Sequence, residues 1–248
     1  MEQLYRNCRA LFDIAFPGED RDWCDALFSY ALPDCLRVIS DGDTPQAMLL
    51  ALPYGIAQAD GRVREARYLY AVATAPECRG RGLATALLQA VAAEGVPCFL
   101  RPMSASLFDF YGKVGLFPIS PVLELSGTAL PTDECFDVLT AAEYLAARAD
   151  FLKPPYAVPH ADFLALGFRF GGAVGRAGCF AAFYEGHGGE VRFKEWLGDV
   201  NFAPRVAAFL GAERYQLRTP CAKNEAGATH FGMAVGCPEE LRFLIALD

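Results

Sequence analysis

Arg79-Gly80-Arg81-Gly82-Leu83-Ala84-Thr85 places two guanidinium groups and two glycines directly ahead of an apolar pattern of helical spacing. Leu83, Ala84, Ala86, Leu87, Leu88, Val91 and Ala92 carry that pattern. Upstream, Tyr68 to Ala75 is an apolar run rich in β-formers, which reads as a buried strand closed by Pro76. The order strand, glycine turn, helix makes an anion site. The first N–H groups of a helix have no partner inside it, and the helix dipole adds partial positive charge there. Gly80 and Gly82 let the backbone approach without a Cβ in the way, and guanidinium suits phosphate oxygens. The expected ligand is a pyrophosphate.

Two familiar phosphate loops do not fit. There is no Gly-x-x-x-x-Gly-Lys-Ser/Thr. The Gly-x-Gly-x-x-Gly of dinucleotide-binding folds meets Thr85 at its third site. Phe99-Leu100-Arg101 follows where an acidic residue is needed about 20 positions on, so nicotinamide dinucleotide binding stays an outside reading.

Arg79-Gly80-Arg81-Gly82-Leu83-Ala84 does resemble the Arg/Gln-x-x-Gly-x-Gly/Ala acyl-CoA pyrophosphate loop of the GCN5-related N-acetyltransferases, the GNAT superfamily. Thr74-Ala75-Pro76-Glu77 is similar to that family's Val-x-Pro-Glu strand end. Further on, Leu107 to Phe117 resembles its Ala-x-x-x-Tyr-x-x-x-Gly-Phe helix, with a strand around Cys98–Arg101 between the two motifs. The resemblance implies an acyl-CoA N-acyltransferase fold of the α/β (α+β) class, a mixed sheet flanked by helices. It also implies acetyl transfer from acetyl-CoA, as co-substrate and without a metal, to the primary amine of a small acceptor, cationic amines included. The backbone near Val72 and Thr74 is expected to pair with the pantetheine arm like an added strand. Arg79 to Thr85 is expected to hold the pyrophosphate. Tyr111, four residues before Gly115, is the expected general acid, a phenol suited to protonating a thiolate leaving group. Ser104 stands where the family often has Asn, a shorter side chain for a cofactor contact. No Glu lies in the strand 68–74, so the general base is not identified. By analogy with the enhanced intracellular survival type of acetyltransferase it is the C-terminal carboxylate of Asp248.

The elements that must position these residues follow from pattern. Residues 3–15 and 21–31 read as two helices broken by Phe16-Pro17-Gly18-Glu19-Asp20, and strands are expected at 36–40, 46–53 and 64–74. Helix 83–94 stops at Gly95. Strand 96–101, helix 106–114 and strand 117–125 complete an acetyltransferase domain at residues 1–126. The second half, 127–248, has strands expected at 133–136, 163–170, 178–184, 190–197, 214–219, 231–235 and 241–247, with helices at 141–149 and 201–210. Gly171-Gly172 and the run Gly186 to Gly189 read as hairpin turns, and Asn201 as a helix N-cap. This half reads as a degenerate GNAT-like domain. Its Leu197-Gly198-Asp199-Val200 has one glycine and an aspartate that would repel phosphate, so no second CoA site is expected there. The two-domain layout resembles the survival-type acetyltransferases, whose larger members carry a third, sterol-carrier-like domain that this chain ends before.

Bulk properties set the outer bounds. The chain has 248 residues, 53% of them hydrophobic, and a net charge of −8, which disfavours a nucleic-acid surface. Nine cysteines without Cys-x-x-Cys or Cys/His ligand spacing read as reduced thiols, with Cys78 beside the loop the one expected to react. The polar N-terminus and the lack of a long apolar run predict a cytoplasmic protein without membrane partners. His160, His187 and His230 read as structural or solvated. Two further readings stay open: acetylation of a protein lysine or N-terminus, and a non-catalytic acyl-CoA sensor. The oligomeric state, homo-oligomer included, is left open.

Overall fold

Helix α1 (Glu2–Ala15) buries Cys8, Leu11 and Phe12 along one stripe. Pro17 and Gly18 break the helix, and Gly18 takes φ +97°. Asp20 then caps α2 (Arg21–Ala31), accepting the Trp23 N–H at 2.8 Å. Strands β1 (Leu36–Asp41), β2 (Thr44–Ala57) and β3 (Val63–Thr74) follow. Then come α3 (Leu83–Ala93), β4 (Cys98–Leu100), α4 (Ala105–Lys113) and β5 (Phe117–Thr128). The rest of the chain is β6 (Asp137–Leu139), α5 (Ala141–Phe151), β7 (Tyr156–Pro159), α6 (Ala161–Gly167), β8 (Gly172–Arg176), β9 (Phe180–His187), β10 (Glu190–Gly198), α7 (Ala203–Phe209), β11 (Arg214–Pro220) and β12 (Thr229–Val235). This computed structural model describes residues 1–244, His187 by its backbone alone. Asp248 lies outside the described residues.

The chain folds as a mixed α/β structure in two units. The first comprises Met1–Gly55, Arg64–Pro118 and Gly232–Glu239; the second comprises Ile56–Val63, Ile119–Phe231 and, of the described residues, 240–244. In the first unit the strand order is β1-β2-β3-β4-β12. β1 and β2 run antiparallel, β3 and β4 parallel, and β4 and β12 antiparallel. One face of this sheet packs Leu49, Leu69, Leu100 and Met233 against Leu87, Leu88 and Val91 of α3 and Tyr111 of α4. The other is aromatic: Phe12 lies 5.3 Å from Phe28 and 6.5 Å from Tyr70, and Tyr68 lies 5.8 Å from Tyr70 and 6.0 Å from Phe99.

In the second unit the order is β5-β11-β10-β9-β8-β6. β9 and β10 are joined through Gly188 and Gly189, both at positive φ, as a two-residue hairpin turn requires. Its core gathers Phe136, Phe180, Phe193, Trp196 and Val206. Beside it lies a buried polar group. Arg148 of α5 forks onto Glu195 of β10 at 2.6 and 3.1 Å, and the Tyr144 hydroxyl donates to the same carboxylate. All three residues are at most 1% exposed.

Several sequence expectations for this unit are corrected. Residues 161–167 form a helix, not part of a strand over 163–170. Phe163, Leu164 and Leu166 are buried in either geometry, and a run this short has no period of its own. Gly171-Gly172 is not a turn. A Cβ on Gly171 would sit 2.3 Å from the Tyr184 carbonyl oxygen, so the glycine permits a close backbone approach. The short strand expected at 133–136 lies at 137–139, and β7 was not foreseen. Asn201 is no N-cap. Asp199 accepts its N–H at 2.9 Å at the start of a 3-10 turn that leads into α7. Of the strand expected at 241–247, the described residues make one isolated bridge, Arg242 with Tyr156.

Candidate active site

The site begins where β3 and β4 part. The two strands are paired at Arg67↔Cys98 and Tyr68↔Phe99. β4 ends at Leu100, while β3 runs on to Thr74. Ala71 marks the divergence with φ +55°, a left-handed conformation that a non-glycine residue adopts at a cost of about 1–2 kcal/mol. Its effect is visible in packing. Leu69 and Val72, three apart rather than two, both pack against the α3 and α4 side. The kink therefore turns the strand over by one residue and leaves the edge at 72–74 facing an opening.

That opening is a cleft of about 540 Å³. Val72, Ala73 and Thr74 of β3 line it, together with Cys78, Arg79, Gly80 and Gly82 to Thr85 of the loop and α3, and Leu107, Phe110 and Tyr111 of α4. Ala15 and Phe16, at the end of α1, complete it. Gly80 and Gly82 take φ +76° and +77°. Added Cβ atoms there would meet nothing within 4 Å, so the glycines serve a conformation and leave the space beside the loop clear. Gly82 is the N-cap of α3 and has no side chain to cover the first-turn N–H groups; the first helical bond is Ala86 N–H to the Gly82 carbonyl at 3.0 Å. These amides and the helix dipole are directed at the loop end of the cleft.

The expected site residues are distributed as follows. Val72, Thr74, Arg79, Gly80, Gly82, Leu83, Ala84, Thr85 and Tyr111 line this one cleft. Arg79 donates Nε–H to the Thr74 carbonyl at 3.4 Å. Arg81 is not on the lining; its Nη1 lies 3.6 Å from Sγ of Cys78, which is. Ser104 is the exposed N-cap of α4, with its hydroxyl 3.0 Å from that of Ser106, and is not on the lining either. The Tyr111 ring packs 5.1 Å from that of Phe110. Tyr111 is buried, which pushes its phenol up to about 12. It therefore stays protonated across the neutral range. α3 is held from its far end as well: Glu94 receives Arg67 and, at 3.3 Å, Arg37. The Arg67 hydrogen bond is the main cause that lowers the Glu94 carboxyl.

Sequence reasoning did not point to Ala71, Phe16 or Phe110. An alanine carries no mark of positive φ, and the two phenylalanines reach the cleft only through tertiary packing. Among the described residues there is no cluster of three or more His, Cys, Asp or Glu placed to hold a metal ion. No helix among them is long and apolar enough to cross a membrane.

The family model for the acetyltransferase (GNAT) domain matches residues 2–119, the span that carries the open strand edge, the glycine loop and Tyr111. Residues 2–119 are a GNAT acetyltransferase domain. This domain is one of acyl transfer, and the protein that carries it is a transferase. Solved structures share its fold over nearly the whole length. A GCN5-related N-acetyltransferase from Anabaena variabilis is 15% identical with a TM-score of 0.67, the match covering 94% of this chain and 70% of the other. A probable N-acyltransferase from Enterococcus faecalis is 16% identical with a TM-score of 0.66, covering 94% and 70%. Eis1 from Mycobacterium abscessus is 12% identical with a TM-score of 0.61, covering 94% and 71%. At these identities the likeness is one of fold. No curated protein matches the chain in sequence.

Proposed function

We propose that this GNAT chain transfers an acetyl group from acetyl-CoA directly to the primary amine of a small acceptor. One observation supports this above the others: a single cleft unites an anion-binding helix start, an unpaired strand edge and a buried tyrosine. Acetyl-CoA brings an acyl thioester whose carbon the amine nitrogen attacks while the carbon–sulfur bond breaks. The residues of the chain do the rest. Gly80 to Thr85 and Arg79 fit a pyrophosphate by backbone N–H groups and a permanent cation. The Val72–Thr74 edge offers backbone groups to an extended amide-bearing arm, as an edge strand does to a peptide. Tyr111 donates its proton to the departing sulfur and recovers one from the nitrogen that has become an amide. At about 12 its phenol is a weak acid, so its contribution rests on a hydrogen bond that strengthens as charge builds on sulfur.

The test is thermal unfolding with acetyl-CoA and, separately, with NADH. Ligand at about 100 times its dissociation constant adds roughly 2.7 kcal/mol, a shift of a few degrees. A shift with acetyl-CoA alone, followed by amine-dependent release of free thiol, is expected. If acetyl-CoA leaves the melt unchanged, the reading is wrong.

A further inference from the structure

The loop residues of the cleft are matched to phosphate; the lining that α1 and α4 contribute has a different chemistry. Ala15 and Phe16 come from the end of α1, Leu107 and Phe110 from α4. Phe16, Leu107 and Phe110 are each only half-buried, so apolar surface is left open to the cleft. This wall is firmly held. The Phe16 N–H donates to the Phe12 carbonyl at 2.8 Å, and its ring lies 4.8 Å from that of Phe12, which packs on Phe28 and Tyr70 in turn. The permanently charged side chain among the described lining residues is a cation, Arg79, and no carboxylate is among them. With Arg79 given to the pyrophosphate, a polycationic amine would find no carboxylate among these lining residues and would lose water against the apolar ones. An amine on an apolar body would bury that body against Phe16 and Phe110 and gain from it.

We propose that the acceptor is a primary amine carried on an apolar body, aryl or branched alkyl, and that Phe16 is the side chain that selects it. The inference rests on the acetyl-transfer reading and narrows the acceptor away from the polycations that the sequence left in view.

The experiment measures thiol release from acetyl-CoA with phenylethylamine and with spermidine, for the wild type, Phe16→Ala and Phe16→Leu. Acetyl-CoA affinity is measured by calorimetry for each. The wild type is expected to favour phenylethylamine in kcat/KM by about tenfold or more, the worth of an apolar contact in a shaped pocket. Phe16→Ala should remove most of that preference through KM, leaving the spermidine value and the acetyl-CoA affinity within about twofold, with Phe16→Leu between. Equal or better use of spermidine by the wild type would overturn the inference. So would an equal loss on both amines in Phe16→Ala, or use of neither amine by a protein that binds acetyl-CoA. If Phe16→Ala instead only quickens turnover of hexanoyl-CoA, the wall faces the acyl chain and the inference also fails. Should Phe16→Ala not fold, the wild-type ratio and Phe16→Leu still decide. Loss of the underlying reading is told apart by calorimetry, since acetyl-CoA would then not bind.

Discussion

Tyr111 and Arg79 have separable tasks, and substitutions should separate them. Tyr111→Phe removes one hydroxyl from a ring that stays packed on Phe110. We expect kcat to fall by about 10²-fold or more while acetyl-CoA affinity holds, read by steady-state kinetics beside calorimetry. Arg79→Ala should do the reverse, weakening acetyl-CoA by about tenfold, the worth of a charge-assisted hydrogen bond, with kcat less affected. The pH profile has a definite sign. An amine is nucleophilic only once deprotonated, so kcat/KM should rise with pH as the acceptor ionises. Burial holds the Tyr111 phenol near 12, so no fall from its ionisation should appear below about pH 10. A descending limb near neutrality that vanishes in Tyr111→Phe would contradict this.

At the scale of elements, α3 is gripped at both ends. Gly82 at φ +77° forms its start, and Glu94, bound by Arg67 and Arg37, forms its end. Gly82→Val should cost the left-handed penalty of about 1–2 kcal/mol in unfolding free energy and weaken acetyl-CoA together, because the same turn aims the amides. For Glu94 the folded-state carboxyl is lowered, chiefly by Arg67. Its contribution is thus present above the unfolded-state value of about 4.3 and is lost as pH falls through the folded one. Glu94→Gln should lower the melting midpoint at pH 7 and leave a smaller further loss on acidification, seen by melts from pH 7 to pH 3. The glycine turn and both flanking elements of this helix were legible in sequence, since Pro76, Gly80, Gly82 and Gly95 mark their ends in residue type. The 161–167 helix was not, because Phe163 and Leu164 suit a strand equally. Nor was Phe16's place, which depends on how α1 meets the cleft rather than on anything local.

At the scale of the molecule, the two units treat the turn before their helices in opposite ways. In the first the glycine loop is open. In the second, a Cβ at Gly198 would sit 2.2 Å from the Cys179 carbonyl oxygen, and the Asp199 carboxylate takes the Asn201 N–H at 2.9 Å. That carboxylate supplies the negative group that a phosphate would otherwise be. The strand, turn and helix order around each of these two turns could be read from sequence. The buried Arg148–Glu195–Tyr144 group could not, because its members lie 47 and 51 positions from Glu195. Arg148→Met alone should cost about 3–5 kcal/mol in urea unfolding by stranding the carboxylate, whereas Arg148→Met with Glu195→Leu and Tyr144→Phe should recover most of it. A small loss in the single variant would show the pair to be solvated.

The kink at Ala71 also bears on how such a chain tolerates gaps. Because Tyr70 and Val72 already point to opposite faces of the sheet, loss of the Ala71 codon would leave every neighbouring side chain in phase. The reading frame of the strand's two faces would be intact, and the protein should fold. It would have traded its opening for a regular ladder, becoming a well-behaved relative with nowhere to seat a thioester. Single-residue deletions on either side of Ala71 would instead throw one arm of the strand out of phase and scramble the core.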